Sequence, residues 1–336
     1  METALQKHAE KENPLEALGR ILDDDMRAVN ALILKHMDSP VALIPQLASY
    51  LIAAGGKRVR PLLTLASTAL YGGEMARAHG LAASVEFIHT ATLLHDDVVD
   101  GSEQRRGQDA ANLVFGNQAS VLVGDFLFSR AFQLMTLDGS LDVLRILSNA
   151  SAVIAEGEVM QLSTANNLST TMDEYIAVIE AKTAALFAAA CEVGPVIAGA
   201  GEAQAEAMAA YGLNMGIAFQ IADDSLDYMA EREKLGKSIG DDFREGKITA
   251  PVLFALNDAD EEEKAFWHRT LVELHQSDTD LSHAADLFTK HDAAARCFEL
   301  ALTYKSKAIE ALRLAPETEL RHLLEALTDY TITRRF

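Results

Sequence analysis

This chain is expected to fold entirely as α-helices. Three observations carry that expectation. Apolar residues recur every three to four positions along nearly all of its 336 residues, strand-like alternation is never sustained, and no Pro/Ser-rich or low-complexity tract divides the chain. A chain of this length can bury one large core, so residues 1–336 read as a single all-α domain.

The elements follow in order. Asn13 is placed to cap a helix with Pro14 at its first position and Glu16 at its third, and Leu15, Leu18, Leu22, Met26 and Val29 continue it at helical spacing. Residues 41–54 form a second helix that stops at Gly55-Gly56. After the basic turn GGKRVRP, the small-residue stretch LLTLASTALYGG is a helix closed by a glycine pair. Glu74–Asp100 and Ala110–Leu137 each read as one long helix, and Leu141–Ala165, Met172–Ala200 and Glu202–Met229 repeat the same apolar period. A loop containing KLGKSIGDDFREGKITAP leads to helices over 252–257, 261–275, 280–313 and 317–333, with the acids of 258–264 suited to a helix start.

Composition narrows the function. The chain is 49% hydrophobic and 24% charged, with a net charge of −21, which argues against a nucleic-acid partner. Its two cysteines, Cys191 and Cys297, show no pairing pattern and read as buried, reduced thiols of a cytoplasmic protein. The N-terminal METALQKHAEKEN lacks the apolar core of a secretory signal. The most apolar stretch, 184–200, is interrupted by Glu192, Gly194 and Pro195, so it is a buried helix rather than a membrane span.

Chemistry concentrates in two acidic clusters. In HTATLLHDDVVDGSEQRRG, Asp96 and Asp100 project from one helical face with Asp97 beside them. Like charges at that spacing repel, and a hard divalent cation such as Mg²⁺ between them would remove the penalty. Arg105 and Arg106 follow at once, as forks for phosphate oxygens. In FQIADDSLDY, 127 residues later, Gln220, Asp223, Asp224 and Asp227 again share one face. A solvated helix end would explain either cluster alone; the repetition within apolar helices argues for a diphosphate and metal site.

Basic residues surround these clusters. Lys57, Arg58 and Arg60 occupy a glycine-opened turn, which by itself could be a solvated loop. His89 lies two turns before Asp96 on the same face. Lys182 interrupts the apolar run 175–191, and a buried lysine requires an anionic partner. Lys237 and Lys247 follow the second cluster.

Taken together, HDDVVDGSEQRRG and QIADDSLDY resemble the two aspartate-rich motifs of the trans-isoprenyl diphosphate synthases. GGKRVRP, FIHTATLLHDD, AKTAALF and LGKSIGDDFREGKITAP resemble further family segments in the family's order, over about residues 50–255. The whole set is specific where each piece is not, and it is most like the octaprenyl and related long-chain synthases. Ala250, where the family usually has leucine before the proline, is a small departure.

The resemblance implies a helical bundle around a deep central cavity, of the isoprenoid synthase type, and a homodimer. It implies condensation of an allylic diphosphate, such as farnesyl diphosphate, with successive isopentenyl diphosphates, the product serving as a quinone side chain. Asp96, Asp100 and Asp223 would bind Mg²⁺ (three ions with substrate, Mn²⁺ substituting), with Asp97, Asp224 and Asp227 acting through water or as supports. Arg105, Lys182, Thr183, Gln220, Lys237 and Lys247 would hold the allylic diphosphate; Lys57, Arg60, His89 and Arg106 would hold isopentenyl diphosphate, assisted by Arg58. A long product would be released through transient membrane contact.

Small residues stand one turn deeper than Asp96, at Ala91 and Thr92, where relatives making short products carry bulky aromatics. An open tunnel and a long product are therefore expected, with Phe128 or Phe132 as candidate floor. A short-chain synthase is the alternative. A terpene cyclase would not need the second basic set, a non-catalytic subunit would not retain both clusters, and a di-iron protein would need a second Glu-x-x-His beside Glu86–His89.

Overall fold

Asn13 does cap the first helix: its side chain accepts from the Leu15 amide at 3.0 Å. The structure, a computed structural model, describes residues 13–53, 55–229 and 240–333. Helix α1 (Pro14–Ile21) ends where Leu22 leaves helical geometry, and α2 (Asp23–Met37) starts afresh with three aspartates in its first turn. Acids there face the positive end of the helix dipole. One helix expected from periodicity is thus two.

Helices α3 (Leu43–Ala53), α4 (Val59–Leu70) and α5 (Met75–Val99) follow as the spacing predicts. After α5 the chain forms a two-residue hairpin, β1 (Gln104–Arg105) against β2 (Gln108–Asp109), too short to leave a periodicity signal. The helix expected over 110–137 is broken at Gly116, whose φ of +84° cannot continue a helix, giving α6 (Ala111–Phe115) and α7 (Asn117–Asp138).

Helix α8 (Leu141–Thr164) is capped by Ser140. Helix α9 (Met172–Ile179) runs into a five-residue π turn, Glu180–Ala184, and on into α10 (Ala185–Ala198). Helix α11 (Glu202–Met229) packs closely on α10, where a Cβ at Gly212 would lie 2.8 Å from the Ala188 Cα. Beyond it come α12 (Asp241–Arg244), α13 (Ala250–Asn257) and α14 (Glu261–Trp267), which ends in a second π turn, His268–Val272. The helix expected over 280–313 is interrupted by Asp292 at φ +50°, leaving α15 (Asp280–Lys290) and α16 (Ala293–Ala311) before α17 (Glu319–Thr333).

Two apolar clusters form around this frame. One gathers α1–α8 with α10, the middle of α11, the end of α16 and α17; the other gathers α9, the C-terminal half of α11, α12–α16 and the end of α17 around the fully buried Trp267. Cys191 and Cys297 are buried free thiols, as expected, and burial pushes the Cys297 thiol up to about 12. No helix among the described residues is long and apolar enough to cross a membrane.

Candidate active site

The last turn of α5 presents the first acidic cluster in two directions. Asp97 is buried and accepts from Arg105 Nε at 3.0 Å, so the hairpin arginine is held against the helix it follows. Asn112 tightens this corner, donating to the carbonyls of Asp97 (3.0 Å) and Ser102 (3.1 Å). Asp96 and Asp100 face the other way. Burial raises the Asp96 carboxyl above its ordinary range and Asp100 adds to that, against the opposing pull of Lys182. Asp100 accepts from Lys247 Nζ at 2.9 Å.

The second cluster lies in the C-terminal turns of α11. Asp224 is buried and accepts from the Tyr175 hydroxyl and from Gln220 Nε2, each at 2.6 Å. Thr183 completes the chain by donating to Gln220 Oε1 at 2.9 Å. Burial carries the Asp224 carboxyl up to about 6, with neighbouring Asp223 adding to the shift and the two donors opposing it. Asp227 accepts the Asp242 amide at 3.0 Å, which ties α12 to α11. Asp242 is itself driven well up, by burial first and then by Asp224.

Lysines join the two clusters. Lys182 Nζ donates to Glu158 at 2.6 Å and stands 3.6 Å from Asp96, while the adjacent Thr183 reaches the second cluster through Gln220. Such a pair of consecutive residues serves both sides because they sit in the π turn, a local widening often found at functional sites. Lys247, after α12, pairs with Asp100 and Glu245. Burial works against its charge, yet Asp242, Asp100 and Glu245 outweigh burial and hold it above an ordinary lysine.

A separate basic cluster lies two turns back along α5. The Arg60 guanidinium stacks over Phe187, 4.3 Å from the ring centroid, and lies 3.2 Å from His89 Nε2. A guanidinium only donates, so Nε2 is the bare nitrogen and the His89 proton sits on Nδ1. Burial holds His89 well below its ordinary value, and Arg60, Arg106, Arg105 and Arg58 reinforce this. Arg58 pairs with Glu86 of α5. Arg106, at φ +54°, folds over Gly56, where a Cβ would lie 2.8 Å from its Nη1. The Glu86–His89 pair is thereby engaged by arginines, a setting that suits an anion and not iron.

The structure therefore assembles Arg58, Arg60, His89, Asp96, Asp97, Asp100, Arg105, Arg106, Lys182, Thr183, Gln220, Asp223, Asp224, Asp227 and Lys247 around one end of α5 and α11. Lys57 is exposed in the turn before α4, and Lys237 lies outside the described residues. Glu158, Tyr175 and Asp242 are additions that sequence reasoning missed. For Glu158 a signal existed: Gly157, in the buried stripe with Ala150 and Ile154, marks a close helix approach just where a charge follows.

Depth residues divide. Ala91 is fully buried in the core, whereas Thr92 is half-buried, its hydroxyl donating to the His89 carbonyl at 2.8 Å. Phe128 stacks on His95 with centroids 6.1 Å apart. Phe132, expected as a possible floor, is 41% exposed on the outer face of α7, so it does not close a cavity within this chain.

Comparison with known proteins agrees with this geometry. A family model described as polyprenyl synthetase matches residues 41–288. The octaprenyl diphosphate synthase of Escherichia coli (strain K12) is 43% identical over 320 residues, spanning 95% of this chain and 99% of that protein. A decaprenyl diphosphate synthase structure from Rhodobacter capsulatus superposes with a TM-score of 0.90 at 53% identity, covering 95% of this chain and 98% of that one. A polyprenyl synthase from Caulobacter crescentus CB15, complexed with calcium and isoprenyl diphosphate, superposes with a TM-score of 0.93 at 50% identity, covering 96% and 98%. With its helical fold, paired aspartate clusters and near full-length similarity, the chain belongs to the polyprenyl synthetase family of prenyltransferases.

Proposed function

We propose that this chain is a long-chain all-trans polyprenyl diphosphate synthase, extending an allylic diphosphate such as farnesyl diphosphate with successive isopentenyl diphosphates to the octaprenyl-to-decaprenyl range. The observation that carries the reading is the presence of two separate groups of basic side chains. Lys182 and Lys247 stand on Asp96 and Asp100 of the first acidic cluster, while Arg60 and Arg106, with the neutral imidazole of His89, form a second basic set beside Phe187. Two diphosphates held side by side is the need of a condensation; a cyclase holds one.

The donor types suit Mg²⁺, since Asp96 and Asp224 are hard carboxylates raised first by burial and then by Asp100 and Asp223 beside them, a cost that a divalent cation relieves, though no group of three such ligands stands preassembled among the described residues. Asp96, Asp100 and Asp223 would hold the ions, three in the loaded enzyme, with Asp97, Asp224 and Asp227 supporting them and Mn²⁺ able to substitute. Bound metal would neutralise charge building on the departing diphosphate. Arg105, Lys182, Lys247, Thr183 and Gln220 hold that group in place. The allylic C–O bond ionises, and the double bond of isopentenyl diphosphate attacks the cation. The resulting tertiary cation loses a proton from the adjacent C2 carbon of the isopentenyl unit, which forms the new double bond, and that proton passes to the released diphosphate, as the family resemblance implies. Lys57, Arg60, Arg106 and the Nδ1–H of His89 hold isopentenyl diphosphate. Exposed apolar side chains on α7, among them Val121, Leu122 and Phe132, support a homodimer that covers this face. A cytoplasmic enzyme releasing its product by transient membrane contact completes the proposal.

The test is incubation with Mg²⁺, farnesyl diphosphate and labelled isopentenyl diphosphate, followed by chromatography. An octaprenyl-to-decaprenyl end point is expected. Termination at geranylgeranyl diphosphate would overturn the long-chain reading, and a cyclic hydrocarbon would overturn the synthase reading.

Metal-free stability should depend on pH through the site. Burial, and then Asp96 beside it, pushes Glu158 up to about 7 from an ordinary 4.5 against the pull of Lys182, and burial carries Asp224 up to about 6 from 3.8. The folded state binds more protons than the unfolded chain across those intervals, so this stabilisation is complete at low pH and is lost as pH rises through about 6 to 7. His89 acts oppositely, its contribution being present above its ordinary 6.5 and lost below it. Between about pH 6.5 and 8 the carboxylates decide the sign, and the melting temperature without metal should fall. Mg²⁺ plus diphosphate should restore more than either alone, and more at the higher pH. Scanning fluorimetry of wild type and Glu158→Gln checks this: identical pH slopes would refute the assignment.

A further inference from the structure

Glu158 belongs to neither aspartate cluster, yet it touches the centre of the site. Its height is set by Gly157, where a Cβ would lie 2.8 Å from both the Ala181 Cβ and the Lys182 amide nitrogen. Helix α8 therefore meets the π turn backbone to backbone, which brings Glu158 level with the Lys182 side chain. Lys182 Nζ donates to Glu158 Oε2 at 2.6 Å and remains 3.6 Å from Asp96 Oδ2. The two side chains are only 20% and 28% exposed. A lysine head on its four-carbon stem would otherwise spread its charge over several rotamers. Here two carboxylates on different helices restrict it, and Thr183, locked to Gln220, fixes the neighbouring residue of the same turn.

We infer that Glu158 is a positioning residue for the allylic diphosphate, acting through Lys182: it holds the ammonium beside Asp96 of the first acidic cluster with its remaining N–H available to the leaving group. This rests on Lys182 contacting that diphosphate, as proposed above. The opposite effect is physically possible, because a carboxylate on Lys182 also competes with the incoming anion. The geometry favours positioning, since Asp96 shares the ammonium and keeps it at the first acidic cluster.

Steady-state kinetics with each substrate varied in turn test the inference, using Glu158→Gln, Glu158→Ala, Lys182→Met and Glu158→Ala/Lys182→Met. Glu158→Ala should raise KM for farnesyl diphosphate about tenfold, the scale of one charge-assisted hydrogen bond, and leave KM for isopentenyl diphosphate unchanged. The near-isosteric Glu158→Gln should show a smaller rise in the same direction, and it serves as the test if the alanine variant melts early. In the Lys182→Met background Glu158→Ala should add nothing. A full additional loss there would mean that Glu158 acts directly on metal or substrate. A lowered KM for farnesyl diphosphate would make it a competitor, and equal changes for both substrates would make it merely structural; each of these overturns the inference. If Lys182→Met alone leaves farnesyl diphosphate kinetics intact, it is the placement of Lys182 that fails.

Discussion

Asp96→Ala and Asp223→Ala should each reduce turnover by about two to three orders of magnitude, while the metal-free proteins melt no lower than wild type. Both halves follow from the same electrostatics. Asp96 is a largely buried carboxylate raised by burial and by Asp100, so its removal relieves a cost in the empty site. Lys182 is not orphaned by the change, because Glu158 still accepts from it at 2.6 Å. Asp223 adds to the shift of buried Asp224, and its removal eases that repulsion too. What each variant loses is a ligand for cations that act only as charge builds on the departing diphosphate. Thermal melts without metal, paired with product assays in Mg²⁺, decide the matter. A variant that unfolds markedly yet keeps its specific activity would show that these aspartates serve folding instead.

Thr92→Tyr should shorten the product sharply, toward the farnesyl or geranylgeranyl range, while the first condensations continue. Thr92 lies one turn from Asp96 and is half-buried, so a ring there would stand in the path proposed for the growing chain. Ala91→Tyr should shorten the product as well, but at a cost in stability. Ala91 is fully buried in the core, and overpacking such a site typically costs about 1–3 kcal/mol. Chromatography of labelled products from wild type and both variants makes the comparison. An active Thr92→Tyr enzyme with unchanged chain length would show that the growing chain does not pass this residue.

Local geometry made much of this protein legible before any fold was known. The 3.6-residue period marked most of the helices, Asn13-Pro14 marked a start, and the four-residue spacing of Asp96 and Asp100 placed both carboxylates on one face. The sequence alone also showed two acidic clusters, because each lies within a few turns of a single segment; the division of the basic residues into two sets came from the family resemblance. Breaks at Leu22 and Asp292 escaped, since the apolar period runs on across both and masks the local signals, the acids after Leu22 and the tolerance of Asp292 for positive φ. The π turn at 180–184 escaped for the same reason, as the apolar period runs straight through it.

Pairing across the chain belonged to the tertiary structure. Adjacent Asp96 and Asp97 look equivalent in the sequence, yet a helical residue turns about 100° from its neighbour. One therefore meets Lys182 at the site, and the other is buried on Arg105 of the hairpin. Lys247 finds Asp100 across 147 residues, and Glu158 finds Lys182 from a helix that carries no motif. A sequence states which charges exist, and helix geometry states which face they share. Which carboxylate neutralises which cation depends on burial and on distances of a few ångströms, which only the packed helices set.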